Sequence, residues 1–359
     1  MKKNQTKLFL PAIVTIFTII LICISCLALI VIIPVKNGIT LRMEGDRTLA
    51  SDNVIGFIAA KRASSFRKDI KLGHAFHLFT DARGARVNSA RQNTFDKVTI
   101  MTIGCSMSWG QGVENEATYT AILGQRLDVP VANFAMGGYG TLQSLLMLER
   151  NLDLAPKIII YGVIEDHMRR NLSPCAPAYL PFCMATPYVD FDSEEKPYIH
   201  APHMEFPIEM TQQFLEDVVF NSLVVNDILW GAKIIWLKYA QKKLLSYPRT
   251  QEAKQKSMTF LMRKMSESAK KINAILIVVY MPRLERGAAK PAPSELMSSL
   301  TKDTVFVDLS SVIKSYYNNP ENPDLELKND GHPNQLAHRL IANELEKLIR
   351  SKYSDRLVR

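Results

Sequence analysis

The chain has 359 residues, of which 47% are hydrophobic and 22% charged, and its formal net charge is +9 at pH 7. This composition is typical of a folded globule with one large core or two small ones, and it excludes a largely disordered chain. The lysines and arginines are spread along the chain and form no sustained basic helix, so the positive charge does not indicate a nucleic-acid-binding protein.

An uncharged apolar run extends from Leu8 to Pro34. As a helix, its 27 residues would be about 40 Å long, which exceeds the roughly 30 Å hydrocarbon core of a membrane. Three lysines and no acid precede the run, and this asymmetry favours a cytoplasmic tail. We therefore expect residues 1–35 to be a tail and transmembrane anchor, with the remaining chain extracytoplasmic (periplasmic in a Gram-negative cell). A cleaved signal peptide is the alternative, although the run is long for one and no clear small-residue cleavage site follows it.

Residues 36–96 are mixed in polarity and only weakly periodic, and we interpret them as a stalk and lead-in segment. The histidines of this segment, His74 and His77, are expected to be surface or packing residues and not ligands.

From residue 97 onwards, strand and helix signals alternate, which is typical of an α/β domain with a mostly parallel sheet. Strands are predicted over residues 97–104, 129–135, 157–163, 273–281 and 304–309. Helices are predicted over residues 117–127, 141–153, 251–271 and 294–300, with Thr141 as an N-cap. The fold class we expect for residues 97–359 is a three-layer, flavodoxin-like sandwich around a mostly parallel five-stranded sheet.

The last predicted helix begins at Pro333, a residue that suits a first helical turn. Its inward side chains are expected to be Leu336, Leu340, Ile341, Leu345 and Leu348. His338 is expected to point to the surface.

Residues 164–248 interrupt the alternation and are interpreted as a cap-like insertion. The insertion contains "CAPAYLPFC", in which Cys175 and Cys183 flank a proline-rich segment and form a plausible disulfide in an oxidising compartment. Two unpaired thiols are the alternative, and the absence of a C-x-x-C spacing disfavours zinc. An apolar stretch over residues 220–240 resembles a second membrane segment, but Asn226, Asp227 and Lys233 lie within it.

Residues with useful chemistry follow four of the predicted strands: Ser106, Gly138, Asp166, and the pair Asp330 and His332. In open α/β sheets such residues meet beyond the carboxyl ends of the strands.

A serine hydroxyl needs a base to become a nucleophile, and the base needs a partner that fixes its tautomer. Asp330 lies two positions before His332, so its carboxylate can bond Nδ1 and leave Nε2 to face Ser106. The backbone N–H groups of Ser106 and Gly138 are candidate oxyanion donors.

Four blocks in order, "GCS", "NFAMGGYG", "YGVIEDHMRRN" and "DGHPN", resemble those of the SGNH hydrolases, also called GDSL-type lipases and esterases. The resemblance extends from residue 97 to about residue 350. It implies Ser106 as nucleophile and first oxyanion donor, Gly138 as second donor, and His332 as base with Asp330 as its orienting partner. Ser108 is expected to support the loop.

Three positions depart from the family pattern. Cys105 replaces an aspartate and is expected to pack the turn. Residues 165–167 replace an asparagine that would be a third oxyanion donor; His167 is its candidate substitute, with a structural role as the alternative. The ending D-x-H resembles that of periplasmic proteins of this superfamily that handle acetyl groups on polysaccharides.

The resulting hypothesis is a membrane-anchored extracytoplasmic serine esterase that acts on acyl or acetyl esters of a lipid or glycan, without a metal or cofactor. The alternatives are an O-acyltransferase that acts on a cell-envelope glycan or lipid, and an inactive envelope binding protein.

Overall fold

The computed structural model describes residues 14–22, 41–44, 48–69, 74–89, 92, 95–176, 184–203, 206–209, 242, 244–328 and 330–357. Residues 14–22 are helical and expose apolar side chains. Within these ranges, no helix is both long and apolar enough to cross a membrane. Most of the predicted anchor, residues 8–34, lies outside the described residues.

Sixteen strands are formed by the described residues. They are β1 (Leu41–Glu44), β2 (Leu49–Asp52), β3 (Gly56–Ala59), β4 (Ser64–Asp69), β5 (His74–Thr80), β6 (Arg86–Val87), β7 (Ile100–Gly104), β8 (Val131–Asn133), β9 (Ile158–Val163), β10 (Cys175–Ala176), β11 (Met184–Ala185), β12 (Tyr188–Phe191), β13 (Pro197–His200), β14 (Phe206–Glu209), β15 (Ile275–Tyr280) and β16 (Val305–Asp308).

The α-helices of the domain are α1 (Ser106–Trp109), α2 (Tyr119–Leu127), α3 (Thr141–Arg150), α4 (His167–Arg170), α5 (Gln251–Lys271), α6 (Ser294–Ser298), α7 (Ser310–Tyr316) and α8 (Gln335–Lys352). Short 3₁₀ turns occupy residues Asn115–Ala117, Leu152–Leu154 and Ser354–Leu357.

The central sheet has eight strands in the order β16-β15-β9-β7-β8-β6-β5-β4. Its first five strands pair in parallel, in the 2-1-3-4-5 order of a flavodoxin-like sheet. The other three pair antiparallel and extend the sheet beyond β8. The prediction of a five-stranded, mostly parallel sheet is therefore wrong in size and type, because strands from the predicted lead-in segment add to the β8 edge.

Side chains alternate between the two faces of the parallel strands and form a separate core on each face. In β9, Ile158 and Ile160 pack on one face, whereas Ile159 and Tyr161 pack on the other. Helices α3 and α5 cover the second face, and α2 and α8 cover the first. Because both faces are buried, the strands are almost continuously apolar, which is typical of parallel sheets.

The last helix differs from its prediction in its start and in the burial of His338. It begins at Gln335, and Asn334 caps it by accepting the N–H groups of Leu336 and Ala337. Its fully buried side chains are Ala337, His338, Ile341, Ala342, Leu345 and Ile349. Ile341 and Leu345 are buried as predicted, and the predicted Leu336, Leu340 and Leu348 are partly buried against the same core. The prediction that His338 lies at the surface is wrong.

His338 is completely buried against α2, where its Nδ1 accepts the N–H of Tyr119 at 3.3 Å. Burial, reinforced by the charge of Arg86, lowers the pKa of His338 from 6.5 to about 3. The folded protein therefore keeps this histidine neutral, while the unfolded chain takes up a proton as the pH falls below about 6.5.

We expect the free energy of unfolding to decrease as the pH is lowered from about 6.5 to 3. This histidine should contribute up to about 1.4 kcal/mol per pH unit to the decrease. His338→Gln should flatten that dependence, which urea denaturation at pH 7, 6 and 5 measures. An unchanged slope in the variant would show that other groups account for the acid sensitivity.

The remaining strands lie in the lead-in segment and the insertion. β2 and β3 form a hairpin, as do β12 and β13, and β10, β11, β1 and β14 form a small sheet. Cys175 is buried and disulfide-bonded. Its predicted partner Cys183 and the apolar stretch over residues 220–240 lie outside the described residues.

Candidate active site

Ser106 lies at the carboxyl edge of the sheet, where β7 turns into the short helix α1. The turn is tight because Ser108 is wedged against the ends of two central strands. A Cβ atom on Gly162 would lie 2.0 Å from Ser108 Oγ, and one on Gly104, whose φ is +145°, would lie 2.7 Å from the Gly162 carbonyl oxygen. We call residues 105–113, which carry the nucleophile, the serine loop. Glycine at both positions lets this loop lie directly on the strand ends.

His332 connects Ser106 to Asp330. The imidazole Nε2 lies 2.8 Å from Ser106 Oγ, and Nδ1 lies 2.8 Å from Asp330 Oδ1. An ionised carboxylate can only accept hydrogen bonds, so it fixes the tautomer in which Nδ1 carries the hydrogen and Nε2 is free to accept the serine proton. The three residues predicted to act together are therefore brought together, although 226 positions separate Ser106 from His332 in the chain.

These three side chains are accessible to substrate and water. The His332 side chain is 24% exposed and that of Asp330 is 14% exposed. Ser106 is half-buried, whereas Ser108 is completely buried. The structure thus distinguishes the two serines: Ser106 faces the histidine and Ser108 supports the turn.

The glycine-rich turn between β8 and α3, residues 135–140, lies beside Ser106 and is called the glycine turn below. A Cβ atom on Gly137 would lie 4.0 Å from the Ser106 Cβ, and Gly138 has a φ of +83°, in the left-handed region that favours glycine. Within the described part of the chain, neither Ser106 nor Gly138 donates its N–H to a protein acceptor. Both predicted oxyanion donors are therefore available next to the nucleophile.

The turn that carries Gly138 is held from three sides. Tyr139 donates its hydroxyl to the Phe57 carbonyl at 2.7 Å, and Arg170 donates to the Tyr139 carbonyl at 2.9 Å. The Asn171 side chain accepts the N–H groups of Thr141 and Leu142 at the start of α3. Helix α3 begins at Thr141, and its N-cap is Gly140. The prediction of Thr141 as the N-cap is therefore wrong.

Asp166, at the end of β9, is fully engaged with two arginines. Its oxygens lie 2.6 and 2.9 Å from Arg169 Nε and Nη2, and 2.7 Å from Arg170 Nε. Burial opposes ionisation, but the two guanidinium groups outweigh it and hold the pKa of Asp166 well below its usual range. Asp166 therefore anchors Arg170 against the glycine turn and does not face Ser106 as an acid.

His167 is completely buried, and its Nδ1 lies 2.7 Å from the Tyr161 hydroxyl. Burial, with the nearby charge of Arg170, lowers its pKa to about 3, so the imidazole is neutral. Its Nε2 has no hydrogen-bond partner among the described residues. No described hydrogen bond links His167 to Ser106 or Gly138, and its role as a third oxyanion donor stays a prediction. Cys105 is a buried free thiol that packs below the turn, as expected.

A residue outside the predicted site, Arg86, holds the far end of the serine loop. Its guanidinium donates to the carbonyls of Trp109 at 2.6 Å, Gly110 at 2.5 Å and Val113. It also lies 5.6 Å from the ring centres of Phe76 and Trp109. An isolated arginine in a weakly periodic segment gives no sequence signal of this role.

Arg86→Met should lower the free energy of unfolding by about 3 kcal/mol, because it leaves three carbonyls in a buried region without their charged donor. Urea denaturation measures this loss. Arg83→Met is the matched control, since Arg83 pairs with the exposed side chain of Asp153 and should contribute less than about 1 kcal/mol. Equal effects of the two substitutions would contradict the proposed support of the serine loop.

Asn133 is a further supporting residue that its position in the glycine block could have revealed. It is buried, donates from Nδ2 to the Ser108 carbonyl at 3.0 Å, and accepts the N–H of Ala135 at 3.1 Å. It therefore couples the serine loop to the start of the glycine turn.

Comparison with solved structures finds similarity to proteins named for ester hydrolysis. A lipolytic protein of the G-D-S-L family from Desulfitobacterium hafniense is 12% identical, with a TM-score of 0.36, over 69% of this chain and 98% of that protein. An acetyl xylan esterase from Butyrivibrio proteoclasticus is 13% identical, with a TM-score of 0.36, over 73% of this chain and 65% of the esterase.

A family two carbohydrate esterase from Clostridium thermocellum is 10% identical, with a TM-score of 0.34, over 73% of this chain and 66% of that enzyme. No protein-family model matches the chain, and no similar sequence is found among the curated proteins. The assignment of an activity therefore rests on the geometry of the site.

Proposed function

We propose that this chain is a serine hydrolase that cleaves ester bonds through an acyl-enzyme intermediate. The observation that carries the proposal is the continuous hydrogen-bonded series from Ser106 Oγ through His332 to Asp330, with both distances 2.8 Å. A serine on a structural loop has no need of a histidine at that distance, nor of a carboxylate behind it. This geometry also argues against the inactive binding protein.

In the first half of the reaction, Ser106 Oγ attacks the ester carbonyl while His332 Nε2 takes the serine proton. The negative charge on the tetrahedral intermediate is stabilised by the N–H groups of Ser106 and Gly138. Asp330 stabilises the imidazolium without accepting its proton. As the intermediate collapses, His332 gives the proton to the departing alcohol oxygen, and the acyl group stays on Ser106.

In the second half, His332 takes a proton from water as the water attacks the acyl-enzyme. His332 then returns this proton to Ser106 Oγ as the free acid leaves, which regenerates the enzyme. The exposure of the His332 and Asp330 side chains lets water approach this position, which favours hydrolysis over transfer to a second alcohol. Product analysis separates the two: hydrolysis yields free acid, whereas an acyltransferase yields a new ester with an added saccharide.

Labelling with a fluorophosphonate tests the proposal directly, because the reagent forms a covalent phosphonyl ester only with an activated serine. We expect stoichiometric labelling of Ser106, identified by mass spectrometry of the digested protein. Ser106→Ala and His332→Ala should both prevent labelling, and Ser108→Ala should not. Labelling that persists in Ser106→Ala would overturn the assignment.

We also propose that the N-terminal run anchors this hydrolase to a membrane with the domain extracytoplasmic. The support is the uncharged sequence from Leu8 to Pro34 and the three lysines before it. The full chain is expected to remain with the membrane fraction after alkaline carbonate extraction, and the domain should be digested by protease added outside spheroplasts. Release by carbonate, or protection from the protease, would contradict this topology.

A further inference from the structure

A cavity of about 540 Å³ is lined by residues that neighbour Ser106 and His332 in the chain. Met107, the residue after the nucleophile, lines one side, and Gly331, between Asp330 and His332, lines another. The carboxyl ends of β9 and β15 supply the residues in between, including Ile164 and Met281. A substrate whose ester carbonyl lies at Ser106 therefore extends into this space.

The charged residues of the cavity come from separate elements and converge on it. Three cationic side chains line it, from α4, from the first turn of α5 and from the segment after β15: Arg169, Lys254 and Arg283. Two acids, Glu165 and Asp166, also line it.

The arginines around Asp166 carry more positive charge than this one carboxylate neutralises. Asp166 is shared between Arg169 and Arg170, so one carboxylate serves two guanidinium groups. Arg249 lies against the same group and donates to the Arg169 carbonyl. Burial and the charge of Arg169 lower the pKa of Arg249 to about 10, which still leaves it protonated at neutral pH.

At the rim of the cavity, positive charges again outnumber negative ones. Arg283 is exposed and, among the described residues, has no hydrogen-bond or ion-pair partner; Lys254 contacts only the neutral side-chain oxygen of Gln251, at 2.9 Å. Glu165 is exposed on the same rim and likewise lacks a described partner. The rim therefore carries the two cations Lys254 and Arg283 against the single carboxylate of Glu165, although Lys254 also interacts electrostatically with Glu295 on α6.

We propose that this cavity binds an anionic group, a carboxylate or phosphate, on the acyl or the alcohol part of the ester substrate. The inference rests on the proposed esterase activity and deepens it by naming the substrate class. Arg283 is the principal contact, because its guanidinium has free donors in a geometry suited to carboxylate and phosphate oxygens. Lys254 adds a second positive charge from the first turn of α5.

Paired substrates of matched size test the proposal. On the acyl side, 4-nitrophenyl hemisuccinate is compared with the neutral 4-nitrophenyl pentanoate; on the alcohol side, 4-acetoxybenzoate is compared with its methyl ester. In at least one pair, the anionic ester should have the higher kcat/KM, and Arg283→Gln should reduce that preference about tenfold. Raising the salt concentration should weaken the same preference.

The matched control is Arg263→Gln, which removes an exposed arginine from α5 that does not line the cavity and should leave both substrate pairs unchanged. Two results would overturn the anionic subsite while leaving the turnover of neutral esters in place. One is an equal kcat/KM for the anionic and neutral esters of both pairs in the wild-type protein. The other is a preference for the anionic ester that neither Arg283→Gln nor Lys254→Gln changes. Failure to turn over any ester would instead contradict the proposed function.

Discussion

Ser106→Ala should reduce the turnover of a short aryl acetate on the order of 10⁵-fold or more, because among the described residues only the Ser106 hydroxyl is hydrogen-bonded to His332 Nε2. The loss should fall on kcat, since the alanine leaves the cavity unchanged. Release of 4-nitrophenol, followed with enough enzyme to detect the residual rate, measures it.

Ser108→Ala is the control for that experiment. Ser108 is completely buried between the ends of β7 and β9, and its hydroxyl does not face His332. This variant should keep turnover within a few-fold of the wild-type rate. The opposite result, activity lost in Ser108→Ala and kept in Ser106→Ala, would mean that the wrong serine has been assigned as nucleophile.

Asp330→Asn should lower kcat by about 10³- to 10⁴-fold, although the substitution hardly changes the shape of the side chain. The asparagine amide can donate to Nδ1 of His332, which favours the tautomer with hydrogen on Nε2. That nitrogen then cannot accept the proton of Ser106. Steady-state kinetics at pH 7 to 8 measures the effect, and fluorophosphonate labelling should slow in parallel.

The control is Asp303→Asn, an identical change at an exposed ion pair with Lys270 on the protein surface. It should leave kcat unaltered. A kcat for Asp330→Asn within tenfold of the wild type would show that His332 is oriented by something other than this carboxylate.

The parallel part of the fold could be predicted because each of its strands is a short apolar run followed by a polar or glycine-rich turn. The active residues could be predicted for the same reason, since the carboxyl ends of such strands meet at one edge. The extension of the sheet could not: β5 alternates buried Phe76 and Leu78 with exposed positions, but its two histidines weakened the strand signal. Tertiary pairing with β4 and β6, which no local pattern encodes, determines that it is a strand.

The region after β9 shows a different limit. The family pattern led to an expectation of a third oxyanion donor near residues 165–167, whereas the structure uses Asp166 to hold Arg169 and Arg170 and places His167 in the interior. These contacts depend on which direction each side chain takes after the strand. Spacing in the sequence does not determine that direction.

The antiparallel extension of the sheet has a practical consequence for anyone who wishes to trim this protein. A shortened chain that begins at residue 97, where the strand and helix alternation starts, would lose β4, β5 and β6 and leave the edge of β8 unpaired. It would also lose Arg86 and its hold on the serine loop. Such a fragment should aggregate through the bare edge. Expression should therefore start upstream of β2, so that the whole sheet is retained.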